Sequence, residues 1–387
     1  MKTIPLYMSQ WAMHGGAPGL ALFSFNPETG AIQLEKHLND HISFGCSNID
    51  HERGILYLCN EDDLESEAGY HTGRIYGYRI NREDGSLTEL FRRDTFCPCP
   101  DYVNFSPDRR FMIIPHHSLP ISVTTVQKDK NGHYVPVTTC MDSAIDLFRM
   151  NEDGTIDELV DVVHHRFQNR TTDFQGKMTI PHPHCAVRSP SGRLFAVCDK
   201  GDGCLYFYRV NEEAGKLECL SRTPTDVPLS EPRYCAFHPS EPWLFINHEH
   251  TGHGRMPVCT FRYKEDGTVL PMTKVDSLPA EYTDHAEGQG FCMSADGRFL
   301  YNLLQGPNVV AVLRVNQETG ELSVLQHMPV AGARVRHCAL SPDGRFLITA
   351  CLSGEIAVYE VLQDGTLTPT PHSAFLKGSA YITFDHP

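Results

Sequence analysis

The sequence predicts an all-β fold, a seven-bladed β-propeller with four-stranded antiparallel blades. Three observations predict it: a strand-and-glycine-turn unit recurs seven times, a second turn marker runs offset from it, and the two chain ends read as parts of one blade. The stride of about 45 to 70 residues suits a blade with some inserted loops.

The first marker is a short alternating strand closed by a polar turn ending in glycine. It appears as ALFSF with Gly30, IYGYRI with Gly85, AIDLFRM with Gly154, CLYFYRV with Gly215, VCTFRY with Gly267, VVAVLRV with Gly320 and IAVYEV with Gly365. Glycine accepts the positive φ of a tight hairpin, and the Asp or Asn before it bonds its own backbone. A further strand-like stretch follows each turn. The second marker, Ser-Pro-Asp-Gly-Arg and an apolar run, starts at Ser106, Ser189, His238, Ser294 and Ser341, with a weaker copy at Asp50. Two hairpins per unit make four strands.

The runs alternate with a period of two, so helices are excluded, and a pair of β-sandwiches gives no reason for matched units. At the start, PLYMSQW reads as a second strand with no first strand before it. Near the other end, SAYITF is a strand with no blade after it. Their pairing closes the ring and removes its open edges. Residues 1–387 are therefore expected to form a single propeller domain.

Composition narrows the function. An apolar content of 41% supports a large core, whereas the net charge of -15, uninterrupted by any basic run, excludes nucleic acid and anionic membranes as expected partners. No run approaches the roughly 18 apolar residues of a membrane span, and MKTIPLYMSQW lacks a secretory apolar stretch. The expectation is a soluble cytoplasmic protein that binds a small molecule. A closed ring needs no second copy, so the oligomeric state is not legible. Most of the 14 cysteines, such as Cys185, Cys235, Cys292 and Cys338, lie in strand-like runs and read as buried thiols. The 21 histidines are the unusual feature, and they point to a polar interior.

In a propeller the innermost strands line a central channel, and the loops at their ends form its mouth. The start of each inner strand therefore points to the axis. These starts read Pro181 to His184, Glu231 to Arg233, Glu287 to Gly290 and Arg334 to His337. Mouth positions also follow each second strand: Asn60-Glu61, His116-His117, Asp199, His248 to His250 and Asn302 to Gln305. Such polar groups are costly to bury unless they are paired or used. His184, Arg233 and Glu249, in adjacent units, form the candidate catalytic set. His164-His165 read as solvated loop.

With these segments in hand, the chain resembles the seven-bladed propeller lactonase family, whose members include the propeller type of 6-phosphogluconolactonase and carboxy-cis,cis-muconate lactonizing enzyme. The resemblance runs from GLALFSFNPETGAI through PHPHCAVRSPSGRLFAVCDKG and EPRYCAFHPSEPWLFINHE to SPDGRFLITACLSGEIAVYEV. It implies that His184, with His182 beside it, Arg233 and Glu249 surround the substrate. A further family arginine falls on Gln305, and a family acidic residue falls on Gly290 with Glu287 close by. A neutral amide cannot fork onto carboxylate or phosphate as a guanidinium does. The resemblance thus implies a changed substrate, less anionic than 6-phosphogluconolactone or held by Arg334 or Arg336.

The expected activity is hydrolysis or interconversion of a sugar-acid or related lactone. Glu249 or His184 would be the base and Arg233 the oxyanion partner, with His182, His248, His285, Gln305, Arg336 and His337 binding substrate. No cofactor is expected. Alternatives are a cycloisomerase or lyase of the muconate-lactonizing type, and a non-catalytic propeller scaffold. A divalent metal held by His and Glu in the channel is a further alternative, with His248 and His250 on one strand face and Asp284-His285 and His184 nearby.

Overall fold

The computed structural model describes residues 3–65, 71–117, 122–140, 143–165 and 180–386. These residues form seven four-stranded antiparallel sheets and one two-stranded hairpin. Blade one has Ser379–Phe384 innermost, then Ile4–Gln10, Gly19–Phe25 and Ile32–Asn39. Leu6 lies opposite Phe384 and Met8 opposite Ile382, so the two chain ends share one blade as expected.

The other inner strands, in ring order, are Cys46–Asp50, Asn104–Phe105, Pro183–Arg188, Pro232–Phe237, Glu287–Met293 and Val335–Leu340. Their hairpin partners are Ile55–Glu65, Phe111–Pro115, Phe195–Asp199, Trp243–His248, Phe299–Gln305 and Phe346–Cys351. The Ser-Pro-Asp-Gly-Arg marker makes the turn between the two. Ser341 shows how: its hydroxyl donates to Asp343 at 2.6 Å and accepts the Phe346 N–H at 3.0 Å. Ser106 and Ser294 repeat this arrangement. Blade three is the irregular one. Its inner strand is only two residues long, and the hairpin Ser122–Lys128 with Tyr134–Cys140 is inserted before its third strand, Ala144–Met150.

The core lies between blades. Seven apolar clusters each join two neighbours, as when Leu6, Met8 and Phe23 of blade one pack with Phe346 and Ile348 of blade seven. On the opposite face of the same strand, Tyr7 packs with Leu56 and Leu58 of blade two. Middle strands are thus covered on both sides and read as apolar runs, while outer strands such as Ile32–Asn39 alternate toward solvent. Cys185 and Cys235 are buried free thiols in one such interface, as expected.

Candidate functional site

A cavity of about 410 Å³ opens at one end of the axis, within the usual size of a small-ligand site. It is lined by Glu61, His117, His184, Arg233, Glu249, Glu287, Gln289, Gln305, Arg334 and Arg336, all at the inner-strand starts or mouth positions read from sequence. Trp11, Met13, His14, Asp101, Lys200, Cys99 and Leu352 complete the wall.

Glu249 follows the second strand of blade five and faces back across it. Its Oε2 accepts from Arg233 Nη1 at 2.6 Å and from Lys200 Nζ at 2.7 Å. Burial raises the affinity of this carboxyl for its proton, but the two cations outweigh that and hold it well below the ordinary glutamate range. Lys200, buried just past the Phe195–Asp199 strand, also reaches His117 Nε2 at 3.1 Å. The Glu249 carboxylate thus ties the Arg233 and Lys200 side chains together at the cavity wall.

His184 is 4% exposed, and burial, reinforced by Arg233 and Lys200, drives its proton affinity well below that of a free imidazole. It stands neutral at pH 7. Its Nε2 lies 3.6 Å from Asp101 Oδ2. Burial, with Glu61 nearby, raises the Asp101 carboxyl well above the ordinary aspartate range. Burial thus lowers the proton affinity of His184 and raises that of the Asp101 beside it, pushing the two groups apart in the way acid and base pairs are.

Across the cavity, Arg336 Nη2 lies 3.6 Å from Glu61 Oε2, and its guanidinium covers the Trp11 ring at 4.3 Å. Gln305 and Gln289 both donate to Glu287 Oε2, at 2.8 and 3.1 Å. Arg334 also lines the cavity and pairs with no carboxylate among the described residues.

Of the remaining expected binding residues, three lie behind the wall and one at its rim. His182 bonds the His117 carbonyl through Nδ1 and stacks on that ring at 4.1 Å, so it props His117. His248 Nδ1 bonds the Pro257 carbonyl at 2.9 Å in a buried site, and His248 is not among the described His, Cys and carboxylate clusters whose donor atoms lie within 4.8 Å of one another. His337 stacks on Tyr381 at 3.9 Å and accepts the Ile382 N–H, tying blade seven to the closing strand. The His285 side chain is 57% exposed at the rim, beside Glu287. The reading of His165 as solvated is corrected: its ring is buried, with Nδ1 on Asp199 at 2.5 Å and Nε2 on the Tyr208 hydroxyl at 2.7 Å. Its partners stand on the next blade, out of reach of any local pattern.

Fold and site together define a propeller with a polar, charge-paired axial pocket. The chain belongs to the family described as Lactonase, 7-bladed beta-propeller, whose family model matches residues 6–384. It is 24% identical over 381 residues to a 6-phosphogluconolactonase of Bacillus subtilis (strain 168), covering 96% of each chain. A 6-phosphogluconolactonase of Formosa agariphila is 23% identical over 385 residues, covering 95% of this chain and 96% of the relative. Among solved structures, a periplasmic gluconolactonase of Pseudomonas aeruginosa aligns with a TM-score of 0.79 at 22% identity, covering 99% of both chains. Among the described residues no helix is long and apolar enough to cross a membrane.

Proposed function

We propose that this protein hydrolyses the lactone of a sugar acid or a similar small hydroxy acid. The observation that carries the reading is the convergence of His184, Asp101, Arg233 and Lys200 on one cavity of ligand size. In this mechanism His184 takes a proton from water as the water oxygen bonds to the lactone carbonyl carbon. The oxygen that gains charge is met by the guanidinium of Arg233, aligned by Glu249. Collapse breaks the ring C–O bond, and Asp101 gives its proton to the departing alkoxide. The proton left on His184 returns to Asp101 across the 3.6 Å gap, which restores both groups. Trp11, pinned by Arg336, offers an apolar face to the ring carbons.

The wall holds four acidic residues, Glu61, Asp101, Glu249 and Glu287, against Lys200, Arg233, Arg334 and Arg336. With the charges nearly balanced and Gln305 occupied by Glu287, affinity for a dianion rests mainly on Arg334. A panel of plain and phosphorylated aldonolactones, scored by acid release and product mass, tests the reading. One added water per turnover is expected, and Arg334→Ala should raise KM for phosphorylated substrates by about tenfold while leaving plain ones unchanged. No turnover on any lactone would refute the activity.

A further inference from the structure

A second cluster stands at the rim of the cavity. His250 lies in the loop after Trp243–His248, His285 in the loop entering blade six, and Glu287 at the first position of that blade's inner strand. One ligand atom from each lies within 4.8 Å of the other two. The two imidazoles stack with centroids 5.2 Å apart, and His285 Nε2 is 3.3 Å from Glu287 Oε1. Bonds of about 2.0 to 2.1 Å to a tetrahedral zinc place neighbouring donor atoms about 3.3 Å apart. One pair already has that separation, and the remaining donor lies within 4.8 Å of both.

The surroundings orient these groups. Both amides of Gln289 and Gln305 donate to Glu287 Oε2, which leaves Oε1 turned toward the imidazoles without cancelling the charge. Orientation of a ligating carboxylate by neutral donors is the usual support of a metal ligand. The backbone is fixed as well: Tyr282 donates to the His285 carbonyl at 3.0 Å, and the Gly288 N–H to the Glu249 carbonyl at 3.1 Å. The alternative grouping of His250 with Glu231 and Glu249 is weaker, because Glu249 Oε2 is held by Lys200 and Arg233. The three cysteines Cys185, Cys198 and Cys235 also cluster, but in an apolar interface where three thiolates around a divalent ion would bury a net negative charge.

We propose that His250, His285 and Glu287 form a binding site for one divalent transition-metal ion of the zinc class. Two imidazoles and one carboxylate suit zinc, cobalt, nickel or iron over calcium or magnesium. Three protein ligands leave a fourth place for water or a substrate hydroxyl at the cavity rim, which Glu287 also lines. The ion would staple the loop after blade five's second strand to the loop that opens blade six.

The test is direct binding to the full-length protein after chelator treatment. Zn²⁺ is titrated against a chromophoric chelator, and Co²⁺ is added separately while its visible ligand-field bands are recorded. One equivalent of Zn²⁺ should bind. His285→Ala and His250→Ala should each weaken it by more than about tenfold, with Gln305→Ala causing a smaller loss. The exposed His133→Ala, in the inserted hairpin, should change nothing. Absence of stoichiometric Zn²⁺ binding to the unaltered protein, or equal binding by a folded His285→Ala protein, overturns the proposal. Because the readout is binding, the outcome is separate from that of the lactone panel.

Discussion

At the scale of residues, the division of labour follows from which charges are neutralised. Arg233 is 1% exposed and would be intolerable there without the Glu249 carboxylate, just as Glu249 would lose its ionisation without Arg233 and Lys200. The proposed mechanism therefore assigns the proton transfers to His184 and Asp101. In the proposed mechanism His184 acts when neutral, and its proton affinity is lowered, so activity should hold through neutral pH and be lost only as pH falls below the ordinary histidine value of 6.5. In that mechanism Asp101 acts when protonated, and its proton affinity is raised, so activity should decline as pH rises through that elevated value. Asp101→Asn should cut kcat by about 10² to 10⁴ and abolish the alkaline limb of the kcat/KM profile while keeping the acid limb. An unchanged alkaline limb would remove Asp101 from the mechanism. His184, Arg233 and Glu249 were legible because all three sit beside recognisable turn markers. Lys200 lies one position past the Asp199 that the same rule selects, and Asp101 precedes an inner strand too short to leave a pattern. The pairing of Glu249 with Lys200 was invisible, since Lys200 belongs to the previous blade.

At the scale of elements, the repeated glycine turn has a second role beyond its own hairpin. All seven marker glycines have positive φ, and most press against the preceding blade: Gly30 meets Phe346, Gly85 meets Leu22 and Gly320 meets Trp243. The tyrosine hydroxyls of Tyr7, Tyr57 and Tyr301 donate to the carbonyls of Gly85, Gly154 and Gly365 in the following blade. The turn is thus both a chain reversal and a docking point between sheets. At Gly320 (φ +75°) an added Cβ would come within 2.9 Å of the indole, whereas at Gly344 (φ +71°) it would meet nothing within 4 Å. Gly344→Ala should therefore cost about 1 to 2 kcal/mol from backbone strain alone, and Gly320→Ala about 1 to 3 kcal/mol more, as read from paired denaturant curves. Equal losses would show that blade docking does not depend on the turn. The turns were the most legible feature of the sequence because their chemistry is local. The short inner strand of blade three was not, because its pairing is replaced by single contacts such as the Asp101 N–H to the Pro115 carbonyl at 3.1 Å.

At the scale of the whole molecule, closure determines whether the pocket exists. The strand Ser379–Phe384 covers the edge of Ile4–Gln10 and sends Ile382 into the interface between blades one and seven. A chain ending at Lys377 would expose that edge and lose this packing, at about 1.5 to 3 kcal/mol for each large apolar side chain in addition to the ladder bonds. It should show no cooperative thermal transition by circular dichroism, and a sharp transition near that of the full chain would contradict closure by this strand. The ring was readable because seven units and two unmatched ends demand it, while the pairing across the cavity was not, for it joins residues from blades far apart in sequence. Closure carries the His184 imidazole to the axial pocket, where the proposed mechanism has it activate water against a lactone carbonyl. The most direct measurement is the steady-state rate of His184→Gln on the best aldonolactone of the panel, with folding verified by its melting curve. A fall in kcat of about 10² to 10⁴ with the fold intact is predicted, and a folded His184→Gln protein that turns over at the full rate would contradict the account.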